Sequence, residues 1–406
     1  MILDSGCRKT YHWRIHIVIY LKMLNKSNRP CITALEAIIV DLPTIREHRL
    51  AMTTMSRQTL VIVRLRCDDG IEGIGEATTI GGLSYGDQSP ESIKLTLDHY
   101  ISPLVIGMDA TSANAVLAQI DLSIQGNALA KSALETALLD AQGKRLGVPV
   151  HALLGGAVRN SLPVLWTLAS GDSARDIEEA KQLLEIRRHK VFKLKIGKRS
   201  PRQDIEHVAA IKNALGDRAD ITVDINQAWS VATAARHIPD LQAAGVMLVE
   251  QPIARDNRRG MARLAQMFNI PIMADEAVST PADMFDYASD GAADIVALKI
   301  AKSGGPLGVV RTAAVADAAG IGCYGGTLLE GTIGSIASAH AFAACRRMDW
   351  GTELFGPLLL KDDIVVERAS VVDFELAVPD APGLGVAIDE DKLAHYRRDK
   401  TRTMVA

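Results

Sequence analysis

The stretch "VFKLKIG" (191–197) decides the reading of the chain, because it is a short apolar run that carries two lysines, Lys193 and Lys195, one residue apart. Side chains of a strand alternate between faces, so both amines point the same way while Val191, Phe192, Leu194 and Ile196 supply apolar surface. Three further runs repeat the pattern with acids in place of amines. "ITVDIN" (221–226) carries Asp224, "VMLVEQP" (246–252) carries Glu250 and "IPIMADE" (270–276) carries Asp275, each near the end of an apolar segment. A later run, "DIVALKIA" (294–301), carries Lys299.

Taken together, the segment ends fall at Trp166, Lys195, Asp224, Glu250, Asp275, Lys299, Tyr324 and Glu353, with 24 to 29 residues between neighbours. That interval holds one strand, one helix and two short loops, and eight such units predict a closed parallel barrel. The intervening segments read as amphipathic helices, among them "SARDIEEAKQLLEIRRH" and "SPRQDIEHVAAIKNALG", while "TIGSIASAHAFAA" (332–344) is nearly all apolar and is expected to be buried. Upstream, "ALEAIIVDLP" and "TLVIVRLRCDDGIEGIGEA" read as a hairpin with a turn at Asp69 and Gly70, followed by helical patterns from about Pro90 to Leu154. The expected organisation is an N-terminal extension over 1–31, disordered and outside the fold, then an α+β capping domain over 32–155. A (β/α)7β barrel over 156–356 follows, and a tail over 357–406 returns to the cap.

Composition narrows the function. Of 406 residues, 48% are apolar and only 4% aromatic, and the net charge is -3, with no basic face to follow a phosphate backbone. Nucleic acid is therefore not an expected partner. The five cysteines are scattered and lack a CxxC pair, which argues against a disulfide framework or a structural zinc site and suits a cytoplasmic protein. The basic leader contains the apolar run "IHIVIYLKML", too short to span a bilayer and interrupted by His16 and Lys22, with no small-residue cleavage site after it. No membrane association is expected.

In a parallel barrel the site lies at the carboxyl ends of the strands, where Asp224, Glu250 and Asp275 would converge. Three carboxylates cannot all stay ionised side by side unless a cation joins them, and an all-oxygen donor set suits Mg²⁺ or Mn²⁺. Any one Asp at a strand end is commonly a helix N-cap, but three on consecutive strands are not explained by capping. Lys193, Lys195 and Lys299 flank this cluster, which points to proton transfer. A lysine serves as a base only if its pKa falls from about 10.4 toward neutrality, and apolar surroundings, a metal ion and the neighbouring Lys193 are expected to lower that of Lys195. Two other motifs carry less. "SGGPLG" (303–308) could cradle a phosphate or form the tight turn into a helix, and "GIEGIG" (70–75) lies in a hairpin rather than between strand and helix, so it is no dinucleotide fingerprint. No HExxH motif is present.

With "FKLKIG", "VDINQAW", "EQPI", "MADEA", "ALKIAKSGGP", "CYGGTLLEGTIGSIASAHAF" and "WGTELFGPLLL" in view, the chain resembles the enolase superfamily in its muconate-lactonizing subgroup, over about residues 32 to 395. The resemblance implies a capped (β/α)7β barrel, a Mn²⁺ cofactor with Mg²⁺ possible, and interconversion of cis,cis-muconate, a small dicarboxylate, with muconolactone. It implies that Lys195 transfers the proton beside Lys193, that Lys299 faces the other side of the substrate and that Glu353 takes a proton-donor position. Asp224, Glu250 and Asp275 would hold the metal; Ile80, Tyr85 and Phe355 would line the pocket, with Glu330 hydrogen-bonding nearby. It also implies a homo-oligomer, an octamer in relatives. Alternatives on the same scaffold are a chlorinated muconate as substrate, succinylbenzoate synthesis or dipeptide epimerisation; a different class is a barrel that binds an acid without turnover.

Overall fold

The computed structural model of the protein describes residues 29–49 and 53–398, so most of the expected N-terminal extension lies outside the described residues. The cap opens with an antiparallel meander of β1 (Ile32–Arg49), β2 (Thr54–Cys67) and β3 (Glu72–Thr78). The turn at Asp69 and Gly70 therefore joins the second and third strands of a sheet that has one strand more than a single hairpin. The glycines of "GIEGIG" have a packing reason. A Cβ at Gly73 would stand 1.9 Å from the Ala137 carbonyl oxygen and one at Gly75 2.0 Å from that of Ala133, so β3 lies directly on the helix Ala128–Leu146. That helix is buried on most of its surface and ends at Gly147, whose φ of 69° is the left-handed conformation glycine adopts without strain.

After a short strand β4 (Ser161–Pro163), seven parallel strands follow in chain order, each hydrogen-bonded to the next. They are β5 (Trp166–Leu168), β6 (Val191–Lys195), β7 (Asp220–Asp224), β8 (Leu248–Glu250), β9 (Ile272–Ala274), β10 (Ile295–Leu298) and β11 (Gly322–Gly325). The eighth strand expected at Glu353 is reduced to one residue. Thr352 bridges Val164 on one side and Gly325 on the other, and this closes the barrel with the Glu353 side chain just beyond the closure. The seam is held by Leu165 N–H to the Thr352 oxygen at 2.9 Å and Glu353 N–H to the Gly325 oxygen at 2.7 Å.

The connecting helices start where the sequence supplies caps. Asp172, Ser200, Ser230, Asn257 and Thr280 each accept a hydrogen bond from a first-turn backbone N–H, and Ser200 with Gln203 and Thr280 with Asp283 form reciprocal capping boxes. The last helix, Thr332–Ala344, is buried from Thr332 to Ala343, in keeping with its apolar sequence. Beyond it, β12 (Val371–Val372) and β13 (Glu375–Ala377) build a small sheet with β4, and the helix Glu390–Tyr396 runs against β1, where Arg398 pairs with Asp41 at 2.6 Å. Among the described residues no helix is long and apolar enough to cross a membrane, and Cys31, Cys67, Cys323 and Cys345 are free thiols.

Two buried carboxyls of the cap reach into the barrel at helix starts. Glu135 accepts the Leu307 N–H at 2.6 Å, so the turn at 303–308 is a helix start already met by an acid of this chain. Gly308 allows the tight turn, since a Cβ there would lie 1.9 Å from the Ser303 carbonyl oxygen. Glu76 on β3 accepts the Gly331 and Gly334 N–H groups at 2.7 and 2.9 Å, opening the helix Thr332–Ala344. Burial, with Asp363 adding, pushes the Glu76 carboxyl up to about 8. A carboxyl raised on folding favours the protonated native state, so its contribution is complete below about pH 4.5 and is lost as pH climbs toward 8. Glu76→Gln should therefore flatten the decline of stability between those limits, read as urea midpoints across the pH series.

Candidate active site

The strand ends converge on a cavity of about 780 Å³ between the barrel mouth and the cap. Lys195, Asp224, Glu250, Asp275, Lys299 and Glu353 line it from the barrel, and Ile80, Tyr85 and Phe355 add largely apolar surface. Two predicted residues stand behind the wall. Lys193 is 1% exposed, and Glu330, 3% exposed, accepts hydrogen bonds from the Thr327 hydroxyl and the Leu328 N–H, so it fixes a loop and does not face the cavity. That corrects the expectation of substrate contact for Glu330.

Register explains the convergence. Lys195 lies opposite Asp224 on the neighbouring strand and Asp224 opposite Glu250, so amine and acids share one level of the barrel. The two lysines are kept apart by different acids. Lys193 is paired with both Glu250 and Glu353 and stands 4.9 Å above the Tyr324 ring, while Lys195 donates to Asp224 at 2.5 Å and to the Asn226 carbonyl oxygen at 3.2 Å. Lys299 donates to Asp275 at 2.5 Å. Lys302, which the sequence reading missed, bonds the same carboxylate at 2.9 Å.

Among the protein groups alone, the acids decide the electrostatics at Lys195. Burial would lower its pKa and Lys193 acts in the same sense, but Asp224, Glu250 and Glu353 outweigh them and hold the ammonium above its ordinary value. Lys193 and Lys299 are raised in the same way, and only Lys302, where burial prevails over Asp275, is lowered. Burial and the neighbouring acids, Asp224 first, push the Glu250 carboxyl well above the usual range despite Lys193. Burial would also raise Asp275, but Lys299 and Lys302 hold it far below. Among the described residues no group of three His, Cys, Asp or Glu side chains is arranged as ligands around one point, because each acid turns toward an amine.

The donor set nevertheless fits a hard divalent ion. Asp224, Glu250, Asp275, Glu276 and Glu353 are five carboxyls against the four ammoniums of Lys193, Lys195, Lys299 and Lys302, and the surplus is felt at Glu250 and at Glu276, which burial and Asp275 also raise. A dication and a dicarboxylate together would leave this balance unchanged.

Several positioning residues carried no signal in the sequence. Gln251, wholly buried with φ of 34°, accepts the Asp275 and Ala277 N–H groups at 3.0 and 3.4 Å and donates to the Ile253 oxygen at 2.9 Å. Asn226, also at positive φ, donates its N–H to Asp224 at 2.8 Å and its side-chain amide to Glu276 at 3.2 Å. An amide one or two residues after a strand-end acid, as in "VEQP" and "VDINQ", is the one trace they leave.

Residues 175–392 match the family model described as enolase C-terminal domain-like, and residues 34–155 that of the mandelate racemase / muconate lactonizing enzyme, N-terminal domain. The chain belongs to the mandelate racemase and muconate lactonizing enzyme family of the enolase superfamily, whose members use a divalent metal ion. It is 58% identical to muconate cycloisomerase 1 of Pseudomonas putida over 90% of this chain and 98% of that protein. A chloromuconate cycloisomerase of Cupriavidus necator is 42% identical over 90% of this chain and 99% of its own. The crystal structure of muconate lactonizing enzyme from Pseudomonas fluorescens complexed with muconolactone superposes with a TM-score of 0.90 at 58% identity, covering 91% of this chain and all of that one.

Gln251→Leu leaves two buried N–H groups without acceptors beside Asp275. It should cost about 2–4 kcal/mol of stability, measured as a lower urea midpoint.

Proposed function

We propose that the chain is a muconate cycloisomerase, interconverting cis,cis-muconate and muconolactone by proton transfer at Lys195. The observation that carries this reading is the Lys195 amine held against Asp224 on the cavity wall, at the level of Glu250 and with Asp275 and Lys299 farther around the mouth. The likeness to enzymes named for this reaction supports the substrate class, and the chlorinated-substrate relative is the more distant at 42% identity. Manganese or magnesium suits the acids, and exposed Leu83, Leu122 and Phe285 suit a homo-oligomer.

In the lactonizing direction one substrate carboxylate adds across a double bond, and the Lys195 ammonium delivers the proton to the carbon beside the other carboxylate. Lys195, held against Asp224 at 2.5 Å on the cavity wall, is the group positioned for that step. In reverse, the amine removes this proton while the carbon–oxygen bond of the lactone breaks and the electron pair leaves with the carboxylate. Asp224, Glu250 and Asp275 would hold a divalent ion, which would supply positive charge beside the carboxylate on which negative charge accumulates. Lys193, enclosed between Glu250 and Glu353, holds these acids and does not reach the substrate. Lys299 and Glu353 also line the cavity, which suits the family reading of Lys299 on the other side of the substrate and of Glu353 at the proton-donor position.

Purified protein with Mn²⁺ should bleach the ultraviolet absorbance of muconate, lose this activity with chelator and turn over 3-chloromuconate more slowly. No bleaching with any divalent metal would overturn the reading. Lys195→Met should fold, bind metal and lose about 10³-fold in kcat, within the range for a positioned acid–base group. An epimerase on this scaffold would lose all activity on Lys299→Ala but still exchange the substrate proton at one face.

A further inference from the structure

One polar side chain at the cavity has no partner. His48, near the end of β1, is 1% exposed, yet it lines the cavity, and among the described residues neither ring nitrogen has a hydrogen-bond partner. A buried imidazole left in this way is destabilising, and such groups are few in native folds. The backbone aims it there. The β1–β2 register breaks between Pro43 and His48 and resumes with His48 opposite Met55, an irregularity of the kind that redirects a side chain. Two residues earlier Arg46 is anchored to Glu179 at 2.9 Å, and Glu179 also accepts the Trp166 indole N–H at 2.9 Å, so this strand end is fixed to the first barrel unit.

Two other polar side chains that the cap adds to the cavity wall, Gln88 and Ser84, are in use. The Gln88 amide donates to Asn127 at 3.2 Å and its oxygen accepts the Leu129 N–H at 3.2 Å, while the Ser84 hydroxyl donates to Gly81. Burial, with Arg46 and Lys195 adding, pushes the His48 imidazole down to about 3, so the ring is neutral and offers one N–H and one acceptor nitrogen. A dicarboxylate whose first carboxylate lies by the strand-end acids presents its second to the cap.

We propose that His48 is a substrate-binding and specificity-determining residue, its ring N–H donating to the substrate carboxylate that adds across the double bond. This rests on the dicarboxylate substrate proposed above. The test compares metal-loaded wild type, His48→Leu and His48→Asn, with adipate as a two-carboxylate inhibitor and hexanoate as its one-carboxylate counterpart. His48→Leu should raise the KM for muconate and the inhibition constant of adipate about 10-fold or more, as loss of a hydrogen bond to a charged group does. Inhibition by hexanoate should be unchanged and the melting temperature equal or higher, because no partner is orphaned. His48→Asn, which keeps an N–H donor, should recover most of the loss.

Unchanged KM and unchanged preference for adipate in His48→Leu would overturn the proposal while leaving the activity intact; wild type without muconate turnover would overturn both. Should the leucine variant not fold, ¹⁵N-histidine spectra of the wild type decide. A His48 ring resonance that moves with adipate and not with hexanoate supports the contact, and one indifferent to both refutes it.

Discussion

The mouth of the barrel is governed by charge that cannot be left alone. Five carboxyls and four ammoniums end the strands and their loops, nearly all of them removed from water. Each buried ion costs several kcal/mol in lost hydration, and only close opposite partners offset this. The pairing is accordingly specific, with Lys193 between Glu250 and Glu353, Lys195 on Asp224, and both Lys299 and Lys302 on Asp275. Because these partners sit on different strands, the ion pairs exist only when the barrel has closed in register, which makes chemistry and fold one constraint.

The cap serves that constraint rather than simply covering it. Glu135 caps the helix that follows the Lys299 and Lys302 loop, and Glu76 caps the helix that follows the 327–331 loop. Gln58 donates to the Leu328 and Leu329 oxygens at 3.1 and 2.9 Å, holding Leu329 at a φ of 62° that a branched side chain adopts only when its surroundings impose it. Loops on β10 and β11 that form the cavity wall are thus fixed by acceptors and donors from the cap sheet and its long helix. A backbone N–H with a buried carboxylate is a stiff connection, and stiffness there keeps the amines in place as the acids change partners.

What could be seen in the sequence was what local physics makes conspicuous. Charges at the ends of apolar runs conflict with their surroundings, so Lys195, Asp224, Glu250, Asp275 and Lys299 stood out, and their equal spacing carried the barrel. Thr352 did not stand out, since a one-residue stave exists only through neighbours on both sides. Lys302 follows "ALKIA" in a glycine-rich loop and reads as a solvated side chain until the Asp275 carboxylate is in view. His48, in a strand of mixed polarity, gains its meaning from a register break, and Glu330 was drawn toward the substrate by its place in the chain although Thr327 and Leu328 occupy its oxygens. The weight of Asp224 on Lys195 was not legible for the same reason: the second lysine is close in sequence, while Asp224 is brought to the amine only by strand register.

The weight of the acids bears on why the chain keeps two lysines on one strand. If Lys193 existed only to depress Lys195, its push would be outweighed here by Asp224, Glu250 and Glu353. Its position argues for another part. At 1% exposure, over the Tyr324 ring, it joins the carboxyl of β8 to the carboxyl that follows the closing Thr352, tying the seam to the middle strand of the sheet from inside. Removing it would leave two acids unpaired in a site where one is already forced toward protonation. Lys195, 19% exposed at its side chain, is the amine with room to meet a substrate. The pair thus divides between an ammonium that makes the acid cluster tolerable and one that, in the proposed reaction, exchanges its proton.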